Sequence, residues 1–408
     1  MSKKNKNTLV PKLRFPEFQN FEGWEEEKFN EICKFIRGPF GGALKKEIFI
    51  SEGYAVYEQV HAIYGDFSSF RYFISEEKFN ELKRFSVLPN DIIMSCSGTM
   101  GKFAIVPKNS KEGVINQALL KLTVKPGYEV NFIKTALELP VNQNKLLSQS
   151  AGGAIKNVVE VAQIKEIPLL IPSIKEQQKI AACLSSLDEV ITAESQKLEV
   201  LKEHKKGLLQ NLFPKEGESV PKVRFKEFEN SGDWVERTIE QVAKVTTGNK
   251  DTQNKVDDGE YPFFVRSQNV ERIDSYSYDG EAILTSGDGV GVGKNFHYIN
   301  GKFDFHQRVY CIYDFEKEVS GKYVFMYFSQ HFYKRVMRMS AKNSVDSVRK
   351  SMITEMPILM TSKKEQEKIA STLSSIDELI TAQNQKIEAL QLHKKGLLQG
   401  LFPQLSEP

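Results

Sequence analysis

Apolar residues recur along 167–214 at Ile180, Leu184, Leu187, Ile191, Leu198, Leu201, Leu208 and Leu212, and along 356–403 at Ile369, Leu373, Ile376, Ile380, Ile387, Leu390, Leu397 and Leu401. Steps alternating between four and three are the a/d seam of a coiled coil. The seam is broken at matching places by polar residues, Glu194 and Lys205 in the first stretch and Gln383 and Lys394 in the second. Polar groups at such positions either fix register at some cost in stability or leave the seam loose there. Each stretch opens on Ser-x-x-Glu (Ser173 with Glu176, Ser362 with Glu365), the pattern of a capping box, and closes on Phe-Pro at 213–214 and 402–403. The pattern predicts two helices of ~39 residues, roughly 58 Å each. Each needs a partner for its seam, and each is the other's nearest candidate, paired antiparallel with Glu194 and Gln383 near the middle.

The two stretches are copies, with 31 identities in 48 ungapped positions. A shorter repeat precedes each unlike block: "VPKLRFPEFQNFEGW" (10–24) and "VPKVRFKEFENSGDW" (220–234) share 9 of 15 residues. Phe15, Phe18 and Trp24 thereby match Phe225, Phe228 and Trp234. Because 220–234 directly follows the first helix, the duplication predicts that 10–24 packs beside the end of the second, near Phe402. A two-fold duplication of this kind is not a solenoid.

The unlike blocks read as mixed α/β. Short strands rich in β-branched and aromatic residues occur at 91–97, 102–107, 117–124 and 307–315, and helical stretches at 130–139 and 322–339. "GTMGK" (98–102) corresponds to "GVGVGK" (289–294), and "INQALLKL" (115–122) to "DFHQRVYCIY" (304–313). The scaffold is shared; the residues upon it differ.

Composition excludes several classes. The 408 residues allow two or three domains, and 40% hydrophobic with 27% charged residues is ordinary for globular chains. No run of 18 apolar residues is present, the first ten residues lack the apolar core of a secretory signal, and Cys33, Cys96, Cys183 and Cys311 stand far apart. A reducing cytoplasm is therefore expected, without a disulfide framework, a metal site or a membrane span. The net charge of +3 is weak evidence for nucleic acid by itself.

Catalytic motifs fail in detail. "GDGVGVGKN" (287–295) has Asp288 where a phosphate loop needs glycine and Asn295 where it needs Ser or Thr, so it reads as a glycine-rich turn between strands. Binding signals are better. Lys334, Arg335, Arg338, Lys342, Arg349 and Lys350 face one acid, Asp346, a cluster able to position phosphates or simply to solvate a helix face. Arg266, Gln268 and Asn269 follow an aromatic strand, with Gln59 and His61 at the matching place in the first block; arginine suits guanine, and Gln or Asn suits adenine. The candidate DNA-contacting set is Gln59, His61, Lys102, Gln117 and Lys156 in the first block. In the second it is Arg266, Gln268, Asn269, Lys294, Gln307, Arg308, Lys342, Arg349 and Lys350.

Pro168…Glu176-Gln177…Lys179-Ile180-Ala181…Leu184…Leu187-Asp188, repeated as Pro357…Glu365-Gln366…Lys368-Ile369-Ala370…Leu373…Ile376-Asp377, resembles the end of a target-recognition domain running into the conserved helix of a type I restriction–modification specificity subunit. The resemblance implies an α/β chain of two pseudo-symmetric mixed α/β target-recognition domains joined by two long helices in an antiparallel coiled coil. The domains would be 1–166, the first helix 167–214, the second domain 215–355 and the second helix 356–408. It implies a non-catalytic chain whose domains each read one half of a split site in double-stranded DNA, with the helices setting the spacer. Two modification subunits would dock on it and methylate adenine, and restriction subunits would join them. S-adenosylmethionine, ATP and Mg²⁺ would be bound by those partners and no cofactor by this chain. Two rivals stay open: an adaptor whose unlike heads bind two proteins, and a stand-alone nuclease or methyltransferase.

Overall fold

In a computed structural model, residues 9–40, 42–148, 161–289, 291–339 and 347–403 are described. The chain divides into two units, one of Met1–Glu194 with Lys386–Pro408 and the other of Ser195–Gln385. The predicted long helices run Ile174–Asn211 and Lys363–Leu401, and each contributes one segment to each unit.

In the first unit a four-stranded antiparallel sheet has the order Cys33–Arg37, Leu119–Val124, Ile92–Ser95, Phe103–Ile105. A second sheet sets Tyr54–Tyr57 between Phe73–Ile74 and a parallel neighbour, Gly113–Ile115. The strand Ile92–Ser95 is buried on both faces, as its unbroken apolar run requires. Ile92 and Met94 pack with the helix Val130–Glu138, while Ile93 meets Ala55, Tyr57 and Ile115. The second unit holds a six-stranded sheet in the order Lys244–Thr247, Val309–Tyr313, Tyr278–Ser286, Phe296–Phe305, Tyr261–Phe264, Glu271–Ile273. Its helix, Gly321–Met339, buries Tyr323, Val324, Phe328 and Phe332. Phe73–Ile74 and Glu271–Ile273 are equivalent short strands, and the first unit places the helices Gln59–Tyr64 and Glu76–Glu81 before and after its own.

Both units close by the same device. Glu25–Lys28 pairs antiparallel with Pro168–Ile171, and Val235–Thr238 with Pro357–Met360. Trp24 packs edge-on to Phe402, with ring centroids 5.5 Å apart, as Trp234 does to Phe213 at 6.4 Å. Leu13 N–H donates to the Gly400 carbonyl at 2.8 Å, and Val223 N–H to the Asn211 carbonyl at 2.9 Å. The 10–24 repeat thus lies against the end of the second helix, as the duplication predicts.

The expected capping boxes form only by half. Ser173 Oγ accepts from Glu176 N–H and Ser362 Oγ from Glu365 N–H, both at 3.4 Å. The glutamate carboxylates turn instead to arginines of the short repeats. Arg14 Nε and Nη2 reach Glu176 at 2.8 and 2.7 Å, and Arg224 reaches Glu365 at 2.8 Å twice. A planar guanidinium makes two charge-assisted bonds where the capping box would make one neutral-donor bond. Gln177 and Gln366 bind the chain before each helix through Pro172 and Thr361, and hold Glu129 and Ser320, which precede the shorter helices.

Within each unit the long-helix segments run antiparallel. In the first, Lys394 pairs with Asp188 and Lys386 with Glu194, both at 2.5 Å, so rising numbers on one helix meet falling numbers on the other. In the second, Lys205 pairs with Asp377 at 2.5 Å, while Leu212 shares a core with Ile369, Ala370 and Leu373. The polar interruptions Glu194, Lys205 and Lys394 therefore meet opposite charges, which fixes the antiparallel register; Gln383 is buried. No helix among the described residues is long and apolar enough to cross a membrane.

Candidate nucleic-acid interface

At one end of each sheet system the two units build the same backbone frame. Asn116 N–H donates to the Tyr57 carbonyl at 3.0 Å, and His306 N–H to that of Phe264 at 2.9 Å. The turn then closes through Leu119 N–H to Asn116 and Val309 N–H to His306. A third strand joins through Cys96 N–H to Ala118 and Gly287 N–H to Arg308, both at 2.8 Å. A fourth passes so close that a Cβ on Gly38 would lie 1.8 Å from the Asn116 carbonyl oxygen, and one on Gly248 2.7 Å from that of its counterpart, His306, and 1.9 Å from that of Phe305. Only glycine fits either place.

These bonds set residue against residue. Gln59 occupies the place of Arg266, Gln117 that of Gln307, Ala118 that of Arg308 and Ser97 that of Asp288, and by strand register Arg37 occupies that of Thr247. The frame is common and every one of those pairs but Gln117 and Gln307 differs.

In the second unit the frame carries a charged cleft of about 320 Å³, lined by Thr247, Asp288, Gln307, Arg308 and Ser347 among others. One carboxylate, Asp288, holds Arg266 Nη1 at 2.9 Å and Arg308 Nη1 at 3.0 Å. Gln307 Nε2 donates to Asp251 at 3.0 Å. Sharing one carboxylate orients both guanidiniums, and both stay exposed enough to meet a ligand. Beneath them His306 is buried and held below the usual imidazole range, first by burial and then by the Arg266 charge. Gln268 and Asn269 are exposed in the loop that follows Arg266, and His297 Nε2 lies 2.9 Å from the Ser267 carbonyl in that loop. Val348 N–H donates to the Gly287 carbonyl at 2.7 Å, which brings the exposed Arg349 and Lys350 to the same edge. Lys294 lies over the Tyr333 ring, 4.9 Å from its centroid, at the end of the glycine-rich stretch. That stretch is a turn between two strands, with Gly289 and Gly293 at positive φ.

In the first unit Gln117 and Lys102 are exposed, and Gln59 lies beside Gly98 with its amide nitrogen closed off. His61 has a different setting. It is buried, its Nδ1 accepts from Glu58 N–H at 2.9 Å, its Nε2 lies 3.2 Å from the Ser69 carbonyl, and its ring stacks on Phe70. It packs as a core residue and turns no ring nitrogen outward. Lys156 and Lys342 lie outside the described residues.

The basic cluster of the second block does not form one free face. Lys334 and Arg338 both pair with Glu216, and Arg335 donates to the carbonyls of Met352 and Glu355. The acid that balances the cluster comes from the linker after the first long helix, more than a hundred residues away. Arg37, Asp288 and Asp251 were missed by motif reading. Sliding one block over the other by the offset of the short repeat would have set Arg37 against Thr247.

The model of the type I restriction modification DNA specificity domain matches residues 21–203 and 231–392, and the chain belongs to that family. The chain is similar over nearly its whole length to the type I restriction enzyme MjaVIII specificity subunit of Methanocaldococcus jannaschii, at 23% identity over 406 residues, 92% of this chain and 91% of that one. The EcoDI specificity subunit of Escherichia coli is 27% identical over 159 residues, 39% of this chain and 34% of that one. The crystal structure of the type I restriction–modification S subunit from M. genitalium shares the fold, with a TM-score of 0.66 at 16% identity, covering 98% of this chain and 100% of that one.

Proposed function

We propose that this chain is the non-catalytic DNA-reading subunit of a type I restriction–modification complex, and that each unit reads one half of a split site in double-stranded DNA. The observation that carries the reading is the repeated frame: identical backbone bonds present Gln59, Ser97 and Arg37 in one unit and Arg266, Asp288 and Thr247 in the other. Different side chains on one frame are what two different short sequences require, because each base pair offers its own donor and acceptor pattern in the major groove. Splitting the work multiplies discrimination, since each mismatch costs ~1–3 kcal/mol.

The residues of the family motif support a structural duty for themselves. Glu176, Gln177, Glu365 and Gln366 are buried and spend their polar atoms holding short repeat, helix start and neighbouring segment together. On this reading the recognition domains are 1–166 and 215–355, and the helices of 167–214 and 356–408 set the spacer and dock two methyltransferase subunits. Restriction subunits then join the assembly in the cytoplasm, and S-adenosylmethionine, ATP and Mg²⁺ bind to the partners. The contact set is Gln59, Lys102 and Gln117 in the first unit and Arg266, Gln268, Asn269, Lys294, Gln307, Arg308, Arg349 and Lys350 in the second, with Lys156 and Lys342 kept as candidates. Selection from a random duplex pool by the full chain, co-expressed with its modification subunit, tests this. The expected result is enrichment of two short specified halves around an unspecified spacer, with affinity falling steeply as salt rises. An adaptor would enrich nothing.

A further inference from the structure

Among the described residues of the first unit, Nε and Nη1 of Arg37 and Nε2 of Gln59 are closed off from solvent without a hydrogen-bond partner, as is Nε1 of the core residue Trp24. A buried donor left unmade is costly, and a charged one more so. Each such group calls for an explanation, and a ligand that completes it is one.

Both groups sit on the frame described above. Arg37 ends the strand Cys33–Arg37, paired to Leu120, immediately before Gly38 and its close approach to Asn116. Its guanidinium lies beside the thiol of Cys96, lowering a pKa that burial pushes up to about 11. Gln59 lies over Gly98, two residues beyond Cys96. The counterpart of Arg37 is Thr247, which lines the second unit's open cleft with Asp288, Gln307 and Arg308. The two residues hold the same place in the strand register, Arg37 opposite Leu120 and Thr247 opposite Tyr310, and only in the first unit does that place carry a cation. One side of the Arg37 guanidinium is covered by the ring of Phe40, 6.0 Å away and 70% exposed. An exposed side chain of this kind changes rotamer in picoseconds to nanoseconds, so the cover can swing aside.

We infer that Arg37, uncovered by rotation of Phe40 and assisted by Gln59, is the base-reading point of the first unit, and that its ligand is the major-groove edge of guanine. The guanidinium fork matches the O6 and N7 acceptors of that base. Ala118 leaves room in the first unit where Arg308 fills the second. The inference rests on the function proposed above.

The test is the same random-duplex selection with Arg37→Lys and Arg37→Gln, each melted beside the wild type. Wild type is expected to specify a guanine in one half-site. Arg37→Gln removes the fork and the charge; it is expected to melt no lower than wild type and to lose that preference by roughly tenfold, with the other half-site and the salt slope unchanged. Arg37→Lys, whose ammonium can still reach guanine as a point charge, is expected to keep part of the preference. Guanine read by Arg37→Gln as by wild type would overturn the inference. So would uniform weakening across all sequences with a shallower salt slope, which marks a phosphate contact, or a change in both halves. A wild-type chain that enriches no split sequence would overturn the function itself, and this assignment with it.

Discussion

The buried pair Arg14–Glu176 makes the strongest claim about what holds the first unit together. Its side chains are 6% and 1% exposed, and the guanidinium also donates to the carbonyls of Phe21 and Glu22 at 2.9 Å. Arg14→Ala leaves the Glu176 carboxylate buried without its counter-charge, a loss of ~3–5 kcal/mol. For a unit of this size each kcal/mol moves the melting temperature by roughly 2–4 °C, so the expected fall is roughly 6–20 °C in the first unit's transition. Calorimetry of the full chain reads it, with Arg224→Ala as the mirror experiment, since Arg224 meets Glu365 in the same geometry with 7% and 1% exposure. The double variant Arg14→Met/Glu176→Leu removes both charges and fills the space with apolar atoms; it is expected to recover most of the loss. A fall under about 2 °C for Arg14→Ala, or a double variant no better than the single one, would refute the reasoning.

Other outcomes follow from the frame. Gly38→Ala forces a Cβ against the Asn116 carbonyl at 1.8 Å, so it is expected to destabilise the first unit by about 1–3 kcal/mol or more and weaken its half-site, as read by melting and duplex binding. Asp288→Ala frees Arg266 and Arg308 from their shared carboxylate; binding to unrelated DNA should rise while preference in one half-site falls, measured by competition. His297, His306 and His331 are all held below the ordinary value of 6.5, in each case first by burial, so the second unit favours their neutral forms. Their stabilising contribution is complete above the unfolded value and is lost as pH falls below about 6.5 toward the lower folded values, by up to ~1.4 kcal/mol per pH unit for each. The second unit's transition should therefore drop between pH 7 and pH 5, and His297→Gln should flatten that drop. Because Leu13 bonds to Gly400, linking residue 403 to residue 9 and opening the chain near Gly217 should give a folded protein that melts within a few degrees of the original.

The long helices were legible because a seam of period 3.5 depends only on local spacing, and the Phe15 and Phe402 neighbourhood because a duplicated segment demands equivalent burial. Glu176 was misread because its partner, Arg14, lies 162 positions away and a capping box is a purely local pattern. His61 looked like a reader because it follows a strand; the loop carrying Phe67 and Phe70 folds over it, which nothing in the short motif signals. Lys334 and Arg338 look free in the sequence because their partner, Glu216, lies 118 and 122 positions away. Arg37 carries no motif as one arginine at a strand end; its place is marked by the close approach of Gly38 to Asn116 and by the Cys96 thiol beside its guanidinium.

The central claim is that two units read two half-sites independently on one frame. The sequence selected by Arg266→Ala tests it most directly, since Arg266 belongs wholly to the second unit and bonds only within it, to Asp288, among the described residues. The account expects one half-site to relax at one or two positions while the other keeps its wild-type profile and the spacer its length. Relaxation of both halves, or of the half that Arg37 variants alter, would contradict it.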